Sequence, residues 1–161
     1  MFDPTVFDNL KVVIEGDIYE LDLDGEIKVV NREDIVDLAN MSRLFRMKMT
    51  VDDKLIASID LRTDLQNLTA ELLHGRVNDE SKPGCRIDVS FHQPLTDIAT
   101  WESKLNTIWG NQWPTSHIIQ YTHGQEMDKS IKTKISFNRP IYEENIDDIR
   151  DLITYLVKTL K

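Results

Sequence analysis

The feature that most restricts how this chain can fold is an alternation of period two on either side of a short polar break. Phe45, Met47, Met49 and Val51 share one side of an extended segment, and Arg46, Lys48 and Thr50 share the other. After Asp52-Asp53-Lys54, Leu55, Ala57, Ile59 and Leu61 alternate with Ser58, Asp60 and Arg62. This is the pattern of strands with one wet face, because successive side chains leave a pleated backbone on opposite sides. A three-residue loop pairs Val51 with Leu55 and Met49 with Ala57, which puts all the large apolar residues on one side. A hairpin of this kind has to bury that side, so the rest of the chain must supply a cover.

Upstream, residues 10 to 15 (LKVVIE) read as a strand and Gly16-Asp17 as a turn. Ile18 to Asp22 and Glu26 to Val30 then read as the arms of a hairpin around Leu23-Asp24-Gly25, with Leu21 facing Ile27, Tyr19 facing Val29 and Glu20 facing Lys28. Asn31, followed by Arg-Glu-Asp, has the form of an N-cap for a short helix ending near Asn40. Thr63 and Gln66 form a capping-box pattern for a helix carrying Leu65, Leu68, Leu72 and Leu73, which Gly75 would close. Residues 78 to 84 have loop composition.

Cys85, Ile87, Val89 and Phe91 alternate with Arg86, Asp88, Ser90 and His92, giving another strand. Pro94 opens a helix whose Ile98, Trp101, Leu105, Ile108 and Trp109 share a face, and Gly110 ends it. Strands are expected around 116 to 123 and 130 to 137, with Pro140 breaking the sheet. Asn145 caps a last helix in which Ile146, Ile149, Ile153, Leu156 and Leu160 recur at spacings of three and four, so it should lie across the sheet. The expected class is α+β, with a largely antiparallel sheet, several helices and a long amphipathic C-terminal helix packed on it.

At 161 residues, with 40% hydrophobic and 29% charged residues, the chain is long enough for one self-sufficient domain over 1–161. Its 28 acidic against 19 basic residues give a formal charge of -9, which disfavours direct contact with a phosphate backbone or an anionic lipid surface. Cys85 is the only cysteine, so no intramolecular disulfide can form and a reducing compartment fits. The N-terminal stretch has no basic segment followed by an apolar run, and no run approaches the roughly 20 apolar residues of a membrane span. The expectation is a cytoplasmic protein that does not enter the membrane.

Several residue groups invite chemistry. Glu20-x-Asp22-x-Asp24-Gly25-x-Ile27 resembles the first part of an EF-hand loop, but position twelve falls on Asn31 where a bidentate Glu belongs, and the flanks read as strands. The expected reading is therefore a hairpin turn. His117 and His123 share a strand face but stand ~20 Å apart on an extended segment, too far to ligate one zinc. Cys85 and His92 project from opposite faces, which excludes a nucleophile pair, and Cys85 reads as a buried apolar residue. The pairs Glu143-Glu144 and Asp147-Asp148 have a sufficient role at a helix start. No glycine-rich phosphate loop or nucleophile elbow occurs, and the residues call for no cofactor or metal.

The least ordinary stretch is Trp109-Gly110-Asn111-Gln112-Trp113-Pro114. Trp109, Trp113 and Pro114 are the candidate partner-binding residues, since aromatic anchors concentrate interface energy. The competing expectation is a loop tryptophan folded back on the core. Met41, Met47 and Met49 could offer an adaptable binding face, although their strand spacing favours the core.

The opening MFDPTVFDNLKVVIEGDIYELDLDG and the segment DIVDLANMSRLF resemble a conserved-hypothetical family of Bacillus-type Firmicutes over most of the chain. That resemblance implies a cytoplasmic bacterial protein and brings no activity or site residue with it. Residues 85 to 160 are also similar in element order (strand, helix, two strands, helix) to the small acidic chaperones of type III secretion, a likeness of fold alone.

The leading expectation is a non-enzymatic binding or adaptor protein that meets a protein partner, or a second copy as a homodimer, through its acidic surface or an apolar sheet face. A small enzyme or ligand-binding protein remains open, with a pocket between sheet and C-terminal helix and two or more of His92, His117, His123 and Glu126 converging there. So does an acidic nucleic-acid mimic, which needs carboxylates spaced like phosphates along one face.

Overall fold

The computed structural model describes residues 5–72 and 84–161. The strands are β1 (Lys28–Asp37), β2 (Ser42–Thr50), β3 (Ile56–Thr63), β4 (Arg86–Pro94), β5 (Thr115–Gln120) and β6 (Ser130–Ser136). They form one antiparallel sheet in the order β1-β2-β3-β4-β6-β5. The helices are α1 (Thr5–Leu23), α2 (Leu65–Leu72), α3 (Ile98–Trp109) and α4 (Ile146–Leu160), the last entered through a 3-10 turn at Glu143–Asn145. The protein is thus α+β with its C-terminal helix on the sheet, and residues 85 to 160 run in the expected order. No helix among the described residues is long and apolar enough to cross a membrane.

The alternation in β2 and β3 determines their register. Met49 stands opposite Ala57, Met47 opposite Ile59 and Phe45 opposite Leu61. The same apolar face continues through Phe91, Val89 and Ile87 of β4 and Ile131, Thr133 and Ile135 of β6, all buried. Three helices cover it. α4 contributes Ile149, Leu152, Ile153, Leu156 and Leu160, α3 contributes Trp101, Leu105 and Trp109, and α1 contributes Phe7, Leu10, Ile14 and Ile18. The apolar sheet face is therefore internal and unavailable to a partner.

The N-terminal part departs from expectation. Residues 5–23 form a helix where two strands and a turn are predicted. Phe7, Leu10, Ile14 and Ile18 recur at helical spacing and are fully buried, while Val12 of the strand-like LKVVIE run is 65% exposed. The need to cover the sheet outweighs the local β preference of Val12-Val13-Ile14, as tertiary context commonly does. Gly25 has φ 75°, and the amides of Gly25 and Glu26 donate back to the carbonyls of Asp22 and Leu21. This is a Schellman closure. The segment resembling a calcium loop is accordingly a helix end, neither a hairpin nor an EF-hand.

The short helix predicted from Asn31 is also absent, because β1 runs straight through to Asp37 with an irregularity between Val29 and Asn31. The Asp37 carboxylate accepts from the amides of Ala39 and Asn40 and makes the turn into β2. Other caps shift by a residue or more. Asp64, not Thr63, accepts from the Asn67 amide at the start of α2, and Asp97, not Pro94, opens α3 by accepting from the Thr100 amide. The Asn145 side chain accepts from the Tyr142 amide and leaves the first turn of α4 uncapped. Gly110 ends α3 as expected, whereas Leu73, Gly75 and residues 78–83 lie outside the described residues.

Gly16 sits in the interior of α1, and a Cβ there would meet no atom within 4 Å. Glycine costs a helix interior roughly 0.5–1 kcal/mol relative to alanine. Gly16→Ala should therefore stabilise the protein by about that amount in urea unfolding, whereas Gly25→Ala, at a positive φ, should destabilise it. A turn between two strands at Gly16 would reverse the first sign.

Candidate functional site

The end of α3, the loop into β5 and the outer side of α4 enclose a cleft of about 320 Å³. Trp109 forms its floor. The indole is nearly buried, its N–H donates to Thr159 Oγ1 at 2.9 Å, and its ring packs against Phe137 and Tyr155. After Gly110 the chain reverses and brings Trp113 back as one wall, its ring 5.1 Å from Phe137 and nearly perpendicular to it. Tyr155, 40% exposed, forms the opposite side with Ile149 and Leu152. At the rim, Arg139 and Asp148 pair at 2.7 Å, with Gln112 and Asp151 beside them.

Two of the predicted partner-binding residues, Trp109 and Trp113, thus meet in one concavity. Pro114 does not line it. That residue is exposed, and its carbonyl accepts from the Ser136 amide, tying the loop to β6. Trp113 is folded back on Phe137, as the competing expectation has it, yet stays half-exposed. Phe137 and Tyr155 were not singled out from the sequence. Phe137 extends the Ile131, Thr133, Ile135 alternation by one step, and Tyr155 flanks the α4 stripe, so both had a readable signal.

The polar candidates are dispersed. His92 lies on the sheet face away from the helices, opposite Lys132. His123 and Glu126 approach each other at 3.7 Å on an exposed turn. His117 faces the helices, with Nδ1 2.8 Å from Thr133 Oγ1 and Nε2 3.2 Å from Glu102. This arrangement resembles a catalytic triad, but Thr133 is fully buried and its hydroxyl also accepts from the Trp101 indole N–H at 2.8 Å. No substrate reaches it. Its role is to satisfy buried polar groups.

Cys85 is buried and exchanges backbone hydrogen bonds with Ile141, and Met47 and Met49 are core residues. Glu143 accepts from Asn9, and Asp148 is held by Arg139. Among the described residues no group of three or more His, Cys, Asp or Glu is placed to hold a metal ion.

The other face of the sheet is polar, and the start of α2 borders it at one end, where Asn67 shares a concavity with Arg62 and Arg86. Its cross-strand rows are Glu33, Arg46, Asp60 and Asp88; then Asn31, Lys48, Ser58, Ser90, Lys134 and Ser116; then Thr50, Ile56, His92, Lys132 and Ile118. Asp60 and Asp88 stand directly opposite each other, an arrangement that costs energy unless cations intervene. Arg46 supplies one as a two-pronged partner to Asp60 at 2.8 and 2.7 Å, with Arg62 at 3.2 Å and the Ser58 hydroxyl at 3.0 Å. Lys134 and Arg62 stand 3.5 and 3.8 Å from Asp88. Burial works to raise the Asp60 carboxyl, but the hydrogen bonds and charge of Arg46, with Ser58 and Arg62, outweigh it and hold the group below the ordinary carboxylate range.

No protein-family model, curated protein or solved structure matches the chain.

Thr133→Val should cost about 1–3 kcal/mol in urea unfolding, because it strands the Trp101 N–H and His117 Nδ1. Asp60→Asn should cost a similar amount at neutral pH. Since the folded Asp60 carboxyl is depressed, its contribution is complete above the unfolded value of about 3.9 and is lost as pH falls through the folded value. The gap between wild type and Asp60→Asn should therefore narrow below about pH 4. A gap independent of pH would remove Asp60 from this account.

Proposed function

We propose that the protein is a non-enzymatic binding or adaptor protein that seats an apolar or aromatic side chain of a protein partner in the cleft between Trp113 and Tyr155. The carrying observation is the cleft itself. Its walls are half-exposed aromatic rings, its floor indole N–H is already bonded to Thr159, and its rim is an ion pair. Such a surface offers contact area and a desolvated centre ringed by polar groups, the arrangement in which interface energy concentrates. It presents no nucleophile with an adjacent base.

A second reading, a small-ligand site, is favoured by one measurement. About 320 Å³ lies within the range of small-molecule pockets. The acidic-mimic reading has less support, because Asp8, Glu15, Asp17 and Glu26 on the helical side each have an Arg or Lys partner.

A photo-cross-linking phenylalanine in place of Gln112, at the cleft rim, should trap one recurrent protein in cells, while the same group in place of the exposed Leu38 should not. Trp113→Ala should abolish that product and leave the circular dichroism spectrum unchanged. If no protein is trapped from position 112 and a metabolite co-purifies with wild type but not with Trp113→Ala, the small-ligand reading replaces the adaptor.

A further inference from the structure

The sheet face away from α1, α3 and α4 has the opposite charge character to the chain that carries it. The whole protein is acidic, with 28 acidic against 19 basic residues. Yet the rows of this face, with the further row Ile35, Leu44, Arg62 and Arg86, display Arg46, Lys48, Arg62, Arg86, Lys132 and Lys134 against Glu33, Asp60 and Asp88. The three carboxylates are taken by Arg46, Arg62 and Lys134. Lys48, Lys132 and Arg86 have no carboxylate within ion-pair distance among the described residues. An ordinary solvated sheet face would carry the sign of the protein or a balance of both.

The relief of the face matches its charge. Ser58 and Ser90, side by side on the two central strands, form a low floor. Lys48 on one flank and Lys134 on the other lie in the same row. Three strand spacings separate their backbones, about 14 Å, with only the short serines between them. A polypeptide layer packs on a sheet at about 10 Å, and this trough is wide enough for one extended segment lying along β3 and β4. Ile56 and the 57%-exposed Ile118 lie in the row beyond, where a side chain of the segment would find apolar contact.

From this we infer that the sheet face away from α1, α3 and α4 is a docking surface for an extended acidic segment of a partner protein, with carboxylates of the segment paired to Lys48, Lys132 and Arg86. Screening makes this compatible with the chain's overall charge. At physiological ionic strength the Debye length is about 8 Å, so a segment confined to the trough responds to the lysines and is shielded from the acidic helices behind the sheet. A long polyphosphate would extend past the trough onto acidic surface. The rows also contain no Phe, Tyr or Trp on which bases could stack, as single-strand binders require. This surface is on the opposite side of the sheet from the aromatic cleft and does not depend on it.

The test is fluorescence anisotropy of labelled poly-glutamate with the intact protein at low and physiological salt. Poly-glutamate should bind and poly-glutamine should not. The double reversal Lys48→Glu/Lys132→Glu should weaken binding about tenfold, close to 1.4 kcal/mol. The matched reversal Lys158→Glu/Lys161→Glu on the helical side should leave it unchanged. Lys132→Gln, which keeps the side-chain stem, should show a smaller loss in the same direction, so a misfolded double variant would not decide the matter. Absence of poly-glutamate binding, equal weakening by both double reversals, or tighter binding of a single-stranded oligonucleotide would each overturn the inference. The cross-link from position 112 reports on the cleft separately and is unaffected by any of these results.

Discussion

The structure depends on the burial of a single sheet face. Phe45, Met47, Met49, Ala57, Ile59, Leu61, Ile87, Val89 and Phe91 project to one side, and the antiparallel register keeps them together across three strands. Burying side chains of this size contributes roughly 1.5–3 kcal/mol each. A slip of one residue in any strand would turn its entire set to solvent. The helices are arranged to serve that face, and the two tryptophans of α3 help fix its orientation over it. Trp101 donates to Thr133 on the sheet and Trp109 to Thr159 on α4, so the indole N–H groups are satisfied in the buried layer. Phe91 contacts both rings edge-on, at 5.6 and 6.3 Å.

The helix-covered side of the sheet ends in charge at its margin. On the helix side of β1 the chain places Arg32 and Asp34 where the central strands place apolar residues. Arg32 reaches Glu15 at 2.7 Å, Asp34 is shared by Lys11 and Arg43, and Arg43 also meets Asp8 at 2.9 Å and lies over the Phe7 ring. Inward-pointing charges of this kind protect an edge strand from pairing with another chain. Here they also bind α1 to the sheet by a network whose members are partly desolvated. Desolvation acts to raise the Asp34 carboxyl, and its bonds to Lys11 and Arg43 bring it below the ordinary value.

This edge explains why the first third of the chain was hard to read. β1 lacks apolar alternation because its inward residues are charged, so Asn31-Arg32-Glu33-Asp34 reads as a helix start. In α1, Val12, Val13 and Ile14 are adjacent and imitate a strand, and the spacing of Phe7, Leu10, Ile14 and Ile18 shows only over a longer window. Gly25 reads from the sequence as a left-handed position, but a hairpin loop and a helix end both call for one. From Phe45 onward each element has its own periodicity, and the pairing of Met49 with Ala57, the strand at Cys85 and the final helix were all legible. The expected pair of Val51 with Leu55 is absent, and Val51 is exposed beyond the last pair, Thr50 with Ile56. The cleft was half legible. Trp109 and Trp113 are conspicuous, whereas Phe137 and Tyr155 join them only through the packing of α4 beside β6. The basic face was harder to see, because its lysines and arginines are dispersed over β2, β3, β4 and β6 and gather only when those strands pair.

The two surfaces have a common origin in the one-sided fold. Three helices laid on a six-stranded sheet leave a seam where α3 ends at Gly110, before the chain returns to the sheet edge at Thr115. That seam is roofed by Trp113 and Tyr155 in place of another helix turn, which makes the cleft both aromatic and accessible. Along β2, β3 and β4 the opposite side of the sheet has few apolar residues to hide, Leu44 and Ile56 among them, so it carries the charges excluded from the helix side. Asp60 and Asp88 at its centre require cations, and the arginines that satisfy them leave Lys48, Lys132 and Arg86 in excess. The basic character of the face thus follows from neutralising two opposed carboxylates and adding three further cations, within a protein whose acidic residues lie mainly elsewhere.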